Sequence, residues 1–273
     1  DELDSPRGRI YLIKNLLEGA QITEKTRTHL DRCLTCRNCE TACPSGVQYG
    51  HLLDIGRKII EEKTSRSAIQ TITRYLLKKG LPSALFKPAV AIGRIVKPLL
   101  PARLQKKIID LRPAGVIPKR QHSHKVLLLA GCVQPTLIPS IDAATIRVLD
   151  AIGVQSVIAS KSGCCGALCF HLNDQAGGLS DMRRNIDAWW PMIQSDQVQA
   201  LVMNASGCGA TVREYGYHLK HDPLYADKAR RISAMSQDLG EFLADFSDQI
   251  VPKLANKPLV NAVFHAPCTL QHW

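Results

Sequence analysis

The stretch Lys125-Val-Leu-Leu-Leu-Ala-Gly-Cys132 decides how the rest of the chain is read. Its apolar run is short and ends in glycine, the pattern of a strand buried on both faces, and a cysteine stands just past its end. Two further runs, Val154–Ala159 and Val198–Met203, repeat the arrangement: Cys164-Cys165 follows the first and Cys208 the second. Helical patterns cover Pro139–Ile152 and Asp174–Ile193, and a third begins at Glu214–Lys220. Strands alternating with helices imply crossover connections and a parallel sheet. Ligands of such sheets gather at the C-terminal strand ends, so the cysteines after the three strands are expected at one sheet edge. Residues 125–273 therefore read as an α/β domain with a mainly parallel sheet.

Upstream the composition changes. Residues 57–125 hold 17 Lys and Arg against 3 Asp and Glu, which accounts for the whole net charge of +11. This stretch has no cysteine and is broken by Pro82, Pro88, Pro98, Pro101, Pro113 and Pro118. Short basic, apolar helical pieces begin at Tyr75, Ile92 and Leu104, and residues 66–124 read as a connector. Its lysines form either a solvated face or an amphipathic surface for an anionic membrane or an acidic partner subunit. Nucleic acid is not an expected partner: the aromatics are Tyr75 and Phe86, with no stacking platform or groove-reading motif.

Residues 1–65 read as a small helical domain. Ser5-Pro6 caps a helix over Arg9–Glu18 that Gly19 ends; Lys25–Asp31 and His51–Lys63 follow, the latter with Leu52, Ile55 and Ile59 at helical spacing. Between them runs Cys33-x-x-Cys36-x-x-Cys39-x-x-x-Cys43-Pro44. This is the bacterial ferredoxin spacing for a 4Fe–4S cluster, which wraps one loop around a cube. Arg32 and Arg37 flank it, where positive charge would favour an anionic cluster and raise its potential. The competing reading is zinc, although zinc usually takes two separated cysteine pairs. In two-cluster ferredoxins the fourth cysteine, here Cys43, serves the other cluster. With one such motif present, either a remote cysteine completes the set or a partner motif lies upstream of Asp1.

Gly163-Cys164-Cys165-Gly166 is the second strong signal. Adjacent strand residues point to opposite faces, so both sulfurs reach one site only from a sharp turn, which the glycines permit. Cys132 and Cys208 on neighbouring strand ends favour a metal or cluster over a vicinal disulfide or two unrelated buried thiols. Cys169 and His171 are further candidate ligands, though packed positions are the commoner fate. Trp189-Trp190 reads as core. Leu259 to Gln271 echoes the Val126–Gln134 unit, a strand, then Cys268, then glutamine, and with no initiator Met the chain reads as a fragment of a longer one. There is no secretory signal, no run of ~18 apolar residues, no hydrolase motif and no dinucleotide glycine loop. No catalytic residue is assigned; substrate oxidation is expected on another subunit.

Taken together, Gly131-Cys132, Gly-Cys-Cys-Gly and Ser206-Gly-Cys208-Gly behind a ferredoxin run resemble the iron–sulfur, cysteine-rich (CCG) subunits of respiratory oxidoreductases. Asp4-Ser-Pro-Arg-Gly-Arg-Ile-Tyr-Leu, Gly131-Cys-Val-Gln-Pro, Cys164-Cys-Gly-Ala and Asn204-Ala-Ser-Gly-Cys-Gly-Ala-Thr-Val are most similar to glycolate oxidase iron–sulfur subunits. The resemblance implies an α+β multidomain chain, a small helical ferredoxin-like domain followed by an α/β CCG domain. It implies a subunit of a flavin-dependent 2-hydroxyacid oxidoreductase, relaying electrons from FAD-binding partner subunits to a membrane quinone from the cytoplasmic face of the plasma membrane. Lactate-utilisation, anaerobic glycerol-3-phosphate dehydrogenase and heterodisulfide-reductase-like complexes are the alternatives. By resemblance Cys33, Cys36, Cys39 and Cys43 are cluster ligands, with two 4Fe–4S clusters in the full-length protein. Cys132, Cys164, Cys165 and Cys208 are the CCG positions, for a further cluster or metal. In heterodisulfide reductase the last cysteine belongs to a C-x-x-C pair; here the corresponding partners are Ala205 and Thr211, a departure that argues against that enzyme's special cluster.

Overall fold

The structure, a computed structural model, describes residues 2–255, 258 and 261–272. Helix α1 (Pro6–Leu17) starts where Ser5 accepts a hydrogen bond from the Gly8 N–H at 3.0 Å, and it ends before Gly19, whose φ of +88° few other residues adopt. Thr23 caps α2 (Glu24–Asp31) in the same way. After the short α3 (Asn38–Thr41) comes α4 (Tyr49–Lys63). Ile13, Leu16, Leu30, Tyr49, Leu53 and Ile60 bury a small core between α1, α2 and α4. Burying each such side chain contributes about 1.5–3 kcal/mol. A side chain at Gly56 would come within 2.8 Å of Ile13, so glycine is what lets α4 lie close against α1.

The basic stretch forms α5 (Ala68–Gly80), α6 (Phe86–Val96) and α7 (Ala102–Gln105), none of which buries a residue fully. Ile69, Ile72, Tyr75 and Leu76 on α5 and Ile92 and Ile95 on α6 stay exposed. The pieces are tied down by polar contacts: Lys78 to Asp174 at 2.9 Å, Arg94 to the Leu137 carbonyl at 3.0 Å, and Arg66 to Asp31 and Glu61. Among the described residues no helix is long and apolar enough to cross a membrane.

The remainder builds one parallel four-stranded sheet of order β2-β1-β3-β4. Strand β1 (His124–Leu128) leads through α8 (Gln134–Leu137) and α9 (Pro139–Ala151) to β2 (Val154–Val157). From β2 the chain passes α10 (Ala167–His171) and α11 (Gln175–Gln194) to β3 (Ala200–Met203). It continues through α12 (Ser206–Arg213), α13 (Tyr215–His218) and α14 (Ala226–Met235) to β4 (Ser236–Asp238). Helices α15 (Leu239–Ala244), α16 (Ser247–Leu254) and α17 (Cys268–Gln271) follow. Alternate residues serve opposite faces: Leu127 and Leu201 join Met182, Ile186, Trp189 and Tyr215 on one side, whereas Val126, Ala200 and Val202 join Leu149 and Phe242 on the other. Helices thus cover both faces, which is why β1 and β3 read as continuous apolar runs.

Four features differ from the sequence reading. The segment after β3 is helical from Ser206, so Cys208 lies in the first turn of α12 and not in a loop, and the helix expected at Glu214–Lys220 is only its short continuation α13. Two glycines, each costing about 1 kcal/mol in a helix, mask that start, and packing on β3 overrides them. Strand β4 is three polar residues, too short for a periodicity. The strand echo before Cys268 begins at Leu259 and Val260, which lie outside the described residues; residues 261–267 are not strand. Trp189 is core as expected, but Trp190 is only partly buried and sits beneath Lys228 and Arg231.

Candidate metal centres

The order β2-β1-β3 places a reversal of chain direction between β1 and β3, and the cleft beyond their C-terminal ends is where open parallel sheets bind ligands. Cys132, Cys164-Cys165 and Cys208 follow β1, β2 and β3 to that edge. The thiol of Cys164 interacts with those of Cys132 and Cys165, and Cys165 with Cys208, so the structure brings all four together. Hydrogen bonds from the Cys132 and Cys165 thiols and from the Gly166 and Leu168 N–H groups hold Cys164 well below the usual thiol range. The Cys165 thiol likewise lowers Cys208, while Cys132 and Cys165 are pushed up by the partners they donate to and by burial. A buried set of four sulfurs, in which Cys164 and Cys208 are favoured as thiolates by the thiols of their neighbours, is the donor chemistry of a cluster or soft metal.

The turn that presents Cys164 and Cys165 is held by two fully buried polar residues. Asn185 Nδ2 donates to the Cys164 carbonyl at 2.8 Å, and its Oδ1 accepts from the Gly163 N–H at 2.8 Å. Tyr215 Oη donates to the Cys165 carbonyl at 2.8 Å and accepts from Asn185 at 3.1 Å. Gly166, at φ +98°, completes the turn; a side chain there would meet the Gly178 carbonyl at 2.9 Å. A second, partly buried network joins the segments that carry Cys132 and Cys208: Gln134 donates to Asp142 at 2.6 Å and to Asn204 at 2.8 Å, and Asn204 donates to Asp142 and Thr145. Sequence reasoning singled out Gly166 but missed Asn185, Tyr215, Asp142 and Thr145, since nothing local in the chain marks them. Cys169 is not drawn into the quartet; it is buried on α10, its thiol faces Asp181 at 3.8 Å, and burial together with that carboxylate pushes it up to about 11. His171 lines the cavity described below.

The ferredoxin run folds locally. Thr35 and Arg37 take left-handed φ values of 53° and 59°, unusual for non-glycine residues, and so bend Cys33–Cys39 into a tight loop. Cys33 and Cys36 act electrostatically on Cys39, whose thiol is pushed up first by burial and then by them. The Cys43 sulfur accepts from the N–H groups of Val47, Ser45 and Gly46, which lowers it. Buried Arg57 ties the loop to the helices, donating to the carbonyls of Leu30 at 2.9 Å and Cys33 at 3.0 Å, where they close the C-terminal end of α2. The buried Tyr49 hydroxyl lies beside the Cys33 sulfur, to which it can donate. A buried hydroxyl donor at a ligand sulfur suits an anionic cluster, whose sulfurs take such bonds, so the residues present fit the group. No group of three His, Cys, Asp or Glu among the described residues is arranged around one metal ion.

The positive charge expected beside this loop is offset. Arg32 is exposed and pairs with Asp4 at 3.3 Å; Arg37 pairs with Glu214 at 2.7 Å and Glu40 at 3.8 Å. Glu214 lies on the sheet side of a cavity of about 300 Å³ whose walls include Cys36, Arg37, Asp54, Gly207, His218 and Cys268.

The family description "Cysteine-rich domain" (CCG) matches residues 126–213, the segment from β1 to the end of α12. The chain is 50% identical over 274 residues to the glycolate oxidase iron–sulfur subunit of Escherichia coli (strain K12), an alignment covering all of this chain and 66% of that protein. It is 31% identical to the probable glycolate oxidase iron–sulfur subunit of Bacillus subtilis (strain 168), over 89% of this chain and 60% of that one. Lactate utilization protein A of Bacillus pumilus (strain SAFR-032) is 29% identical over 53% of this chain and 57% of its own length. No solved structure matches. The chain thus spans somewhat less than two thirds of the glycolate oxidase subunits it matches. Identity over the whole chain, together with a CCG segment that frames the sheet-edge quartet, means that the chain belongs to the family of CCG-domain iron–sulfur proteins that includes the glycolate oxidase iron–sulfur subunits.

Proposed function

We propose that this protein is the iron–sulfur electron-transfer subunit of a flavin-dependent 2-hydroxyacid oxidoreductase, with glycolate the preferred assignment of substrate. FAD-binding partner subunits would oxidise the hydroxyacid, and a quinone at the membrane would accept the electrons. The observation that carries this reading is a buried four-cysteine cluster at the C-terminal sheet edge in a chain that also holds a local ferredoxin-type cysteine loop. Cys33, Cys36, Cys39 and Cys43 are the proposed ligands of a 4Fe–4S cluster, Cys43 either completing this set or serving a neighbouring one. Cys132, Cys164, Cys165 and Cys208 are the proposed ligands of a further cluster or metal. When bound, such a group supplies reversible one-electron storage.

The protein's own residues prepare the sites. Tyr49 offers a hydrogen bond to the ferredoxin-type site, Arg57 anchors its loop, and Asn185 with Tyr215 holds the Cys164-Cys165 turn before any metal arrives. The exposed apolar residues of α5 and α6, set among lysines and arginines, support peripheral docking on the anionic cytoplasmic face of a membrane.

The full-length protein, purified without oxygen, should contain iron and acid-labile sulfide in equal amounts and give a paramagnetic signal on reduction. Cys36→Ser should remove the ferredoxin-type signal. Full-length protein with neither iron nor signal after reconstitution would sink the reading.

A further inference from the structure

One carboxylate joins the walls of the cavity. Glu214 follows α12, whose first turn carries Cys208, so it belongs to the sheet side. Its Oε2 accepts from Arg37 at 2.7 Å, and its Oε1 pairs with His51 Nε2 at 2.9 Å; both partners come from the ferredoxin side. His218, one turn on, lies 3.5 Å from Oε2. The His51 ring stacks on Tyr217 at 3.5 Å with an interplanar angle of 6°, extending the same contact. All three partners and Glu214 itself are largely shielded from water, with side-chain exposures from 9% to 17%, so solvent screens these interactions only weakly.

Arg37 is the residue next to Cys36, held left-handed at φ 59°. A hydrogen-bonded Glu214 therefore does two things at once. It fixes the Cys36 loop in register with the helix of Cys208, and it cancels positive charge at the edge of the ferredoxin-type site. Burial pushes the Glu214 carboxyl up, but hydrogen bonds from His218 and His51 and the charge of Arg37 outweigh it and hold it at about 2, so it stays ionised at neutral pH.

We propose that Glu214 is a positioning residue for the ferredoxin-type centre, registering its loop on the Cys208 helix and setting its potential by offsetting Arg37. The inference rests on the reading that Cys33, Cys36 and Cys39 hold a cluster.

The test is a redox titration of full-length, cluster-loaded protein followed by electron paramagnetic resonance. Glu214→Gln keeps the shape and removes the charge, and should shift the ferredoxin-type potential to more positive values. One charge uncovered at about 10 Å in an effective dielectric near 20 changes an electron-binding equilibrium roughly tenfold, which is about 59 mV for one electron. Glu214→Asp keeps the charge and should stay near the wild-type potential, the rescue that a purely steric role would not produce. Arg37→Gln should move the potential the other way. It also keeps the proposal testable if Glu214→Gln fails to load clusters. An unmoved or lowered potential in a loaded Glu214→Gln protein overturns the inference, as does an unmoved or raised potential in Arg37→Gln. Absence of any cluster signal in wild-type protein overturns the underlying reading instead, so the two failures are distinguishable.

Discussion

The two cysteine groups differ in how they are made. The ferredoxin loop is local: its thiols lie within a few residues, its bend comes from Thr35 and Arg37, and it is half-exposed on a small core of six buried side chains. The quartet at the sheet edge is assembled from three strand ends spread over 77 residues, and two of its members are fully enclosed in the larger core. A local site depends on loop conformation and a few anchors. A distributed site exists only when the sheet does, so damage to it should be coupled to the stability of the whole domain.

Gly166→Ala tests that coupling most severely. It places a side chain at φ +98° and within 2.9 Å of a backbone carbonyl. Strain and overpacking together should cost about 3–5 kcal/mol, visible as a lower denaturation midpoint with loss of the quartet, while an isolated ferredoxin-type signal persists. If Gly166→Ala left the midpoint unchanged, the turn would not be under the constraint described.

Arg57→Ala probes the opposite region. It removes the guanidinium bonds to the Cys33 carbonyl and to the Leu30 carbonyl, which keeps the Cys33 N–H at 3.2 Å, and should cost about 1–3 kcal/mol. The loss should appear as faster hydrogen exchange around Cys33, with the sheet core still protected. Equal loss of protection in both regions would refute their independence.

Asp54, on the ferredoxin wall of the cavity, has no hydrogen-bond or ion-pair partner for its carboxylate among the described residues. Burial, opposed by His218, raises it from 3.8 to about 6. A raised acid binds more protons folded than unfolded, so its contribution makes stability fall as pH rises from about 4 to about 6. Asp54→Asn should remove that slope, a gain on the order of 2 kcal/mol above pH 6, measured by denaturation across the range. Glu214, on the facing wall, acts with the opposite sign: held at about 2, it contributes stability above its unfolded value that is lost as pH falls from about 4.5 to 2.

The smallest stability effect belongs to Tyr49→Phe. The hydroxyl's neighbour is the Cys33 sulfur, a weak acceptor, so stability should change by less than about 1 kcal/mol. The ferredoxin-type potential should nevertheless fall, because a lost donor destabilises the more negative reduced state. A rise in potential would mean that the hydroxyl does not face the cluster.

Much of this was legible in the residues. Ser5, Thr23 and Gly19 mark helix ends with groups that satisfy or free the backbone, and such signals act within a few residues. The apolar runs of β1 and β3 reflect burial on both faces, which leaves no polar register to confuse them. The start of α12 was not legible, because its glycines argue for a turn and only packing against β3 says otherwise. Asn185 and Tyr215 were invisible for a different reason: each looks like an ordinary helical residue until the Gly163–Cys165 backbone is placed against it.

By itself the sequence determined the chemistry available: the spacing of Cys33, Cys36, Cys39 and Cys43, the glycines around Cys164-Cys165, and a basic stretch free of cysteine. These are properties of covalent neighbours and of backbone freedom, which need no fold to be read. Only the tertiary structure decided that Cys132, Cys164, Cys165 and Cys208 meet, and that the N–H groups of Val47, Ser45 and Gly46 close on the Cys43 sulfur. It also decided that the charge of Arg37 is met by Glu214 from 177 positions away. Contacts at that separation depend on strand order and helix packing, and no local pattern in the chain encodes them.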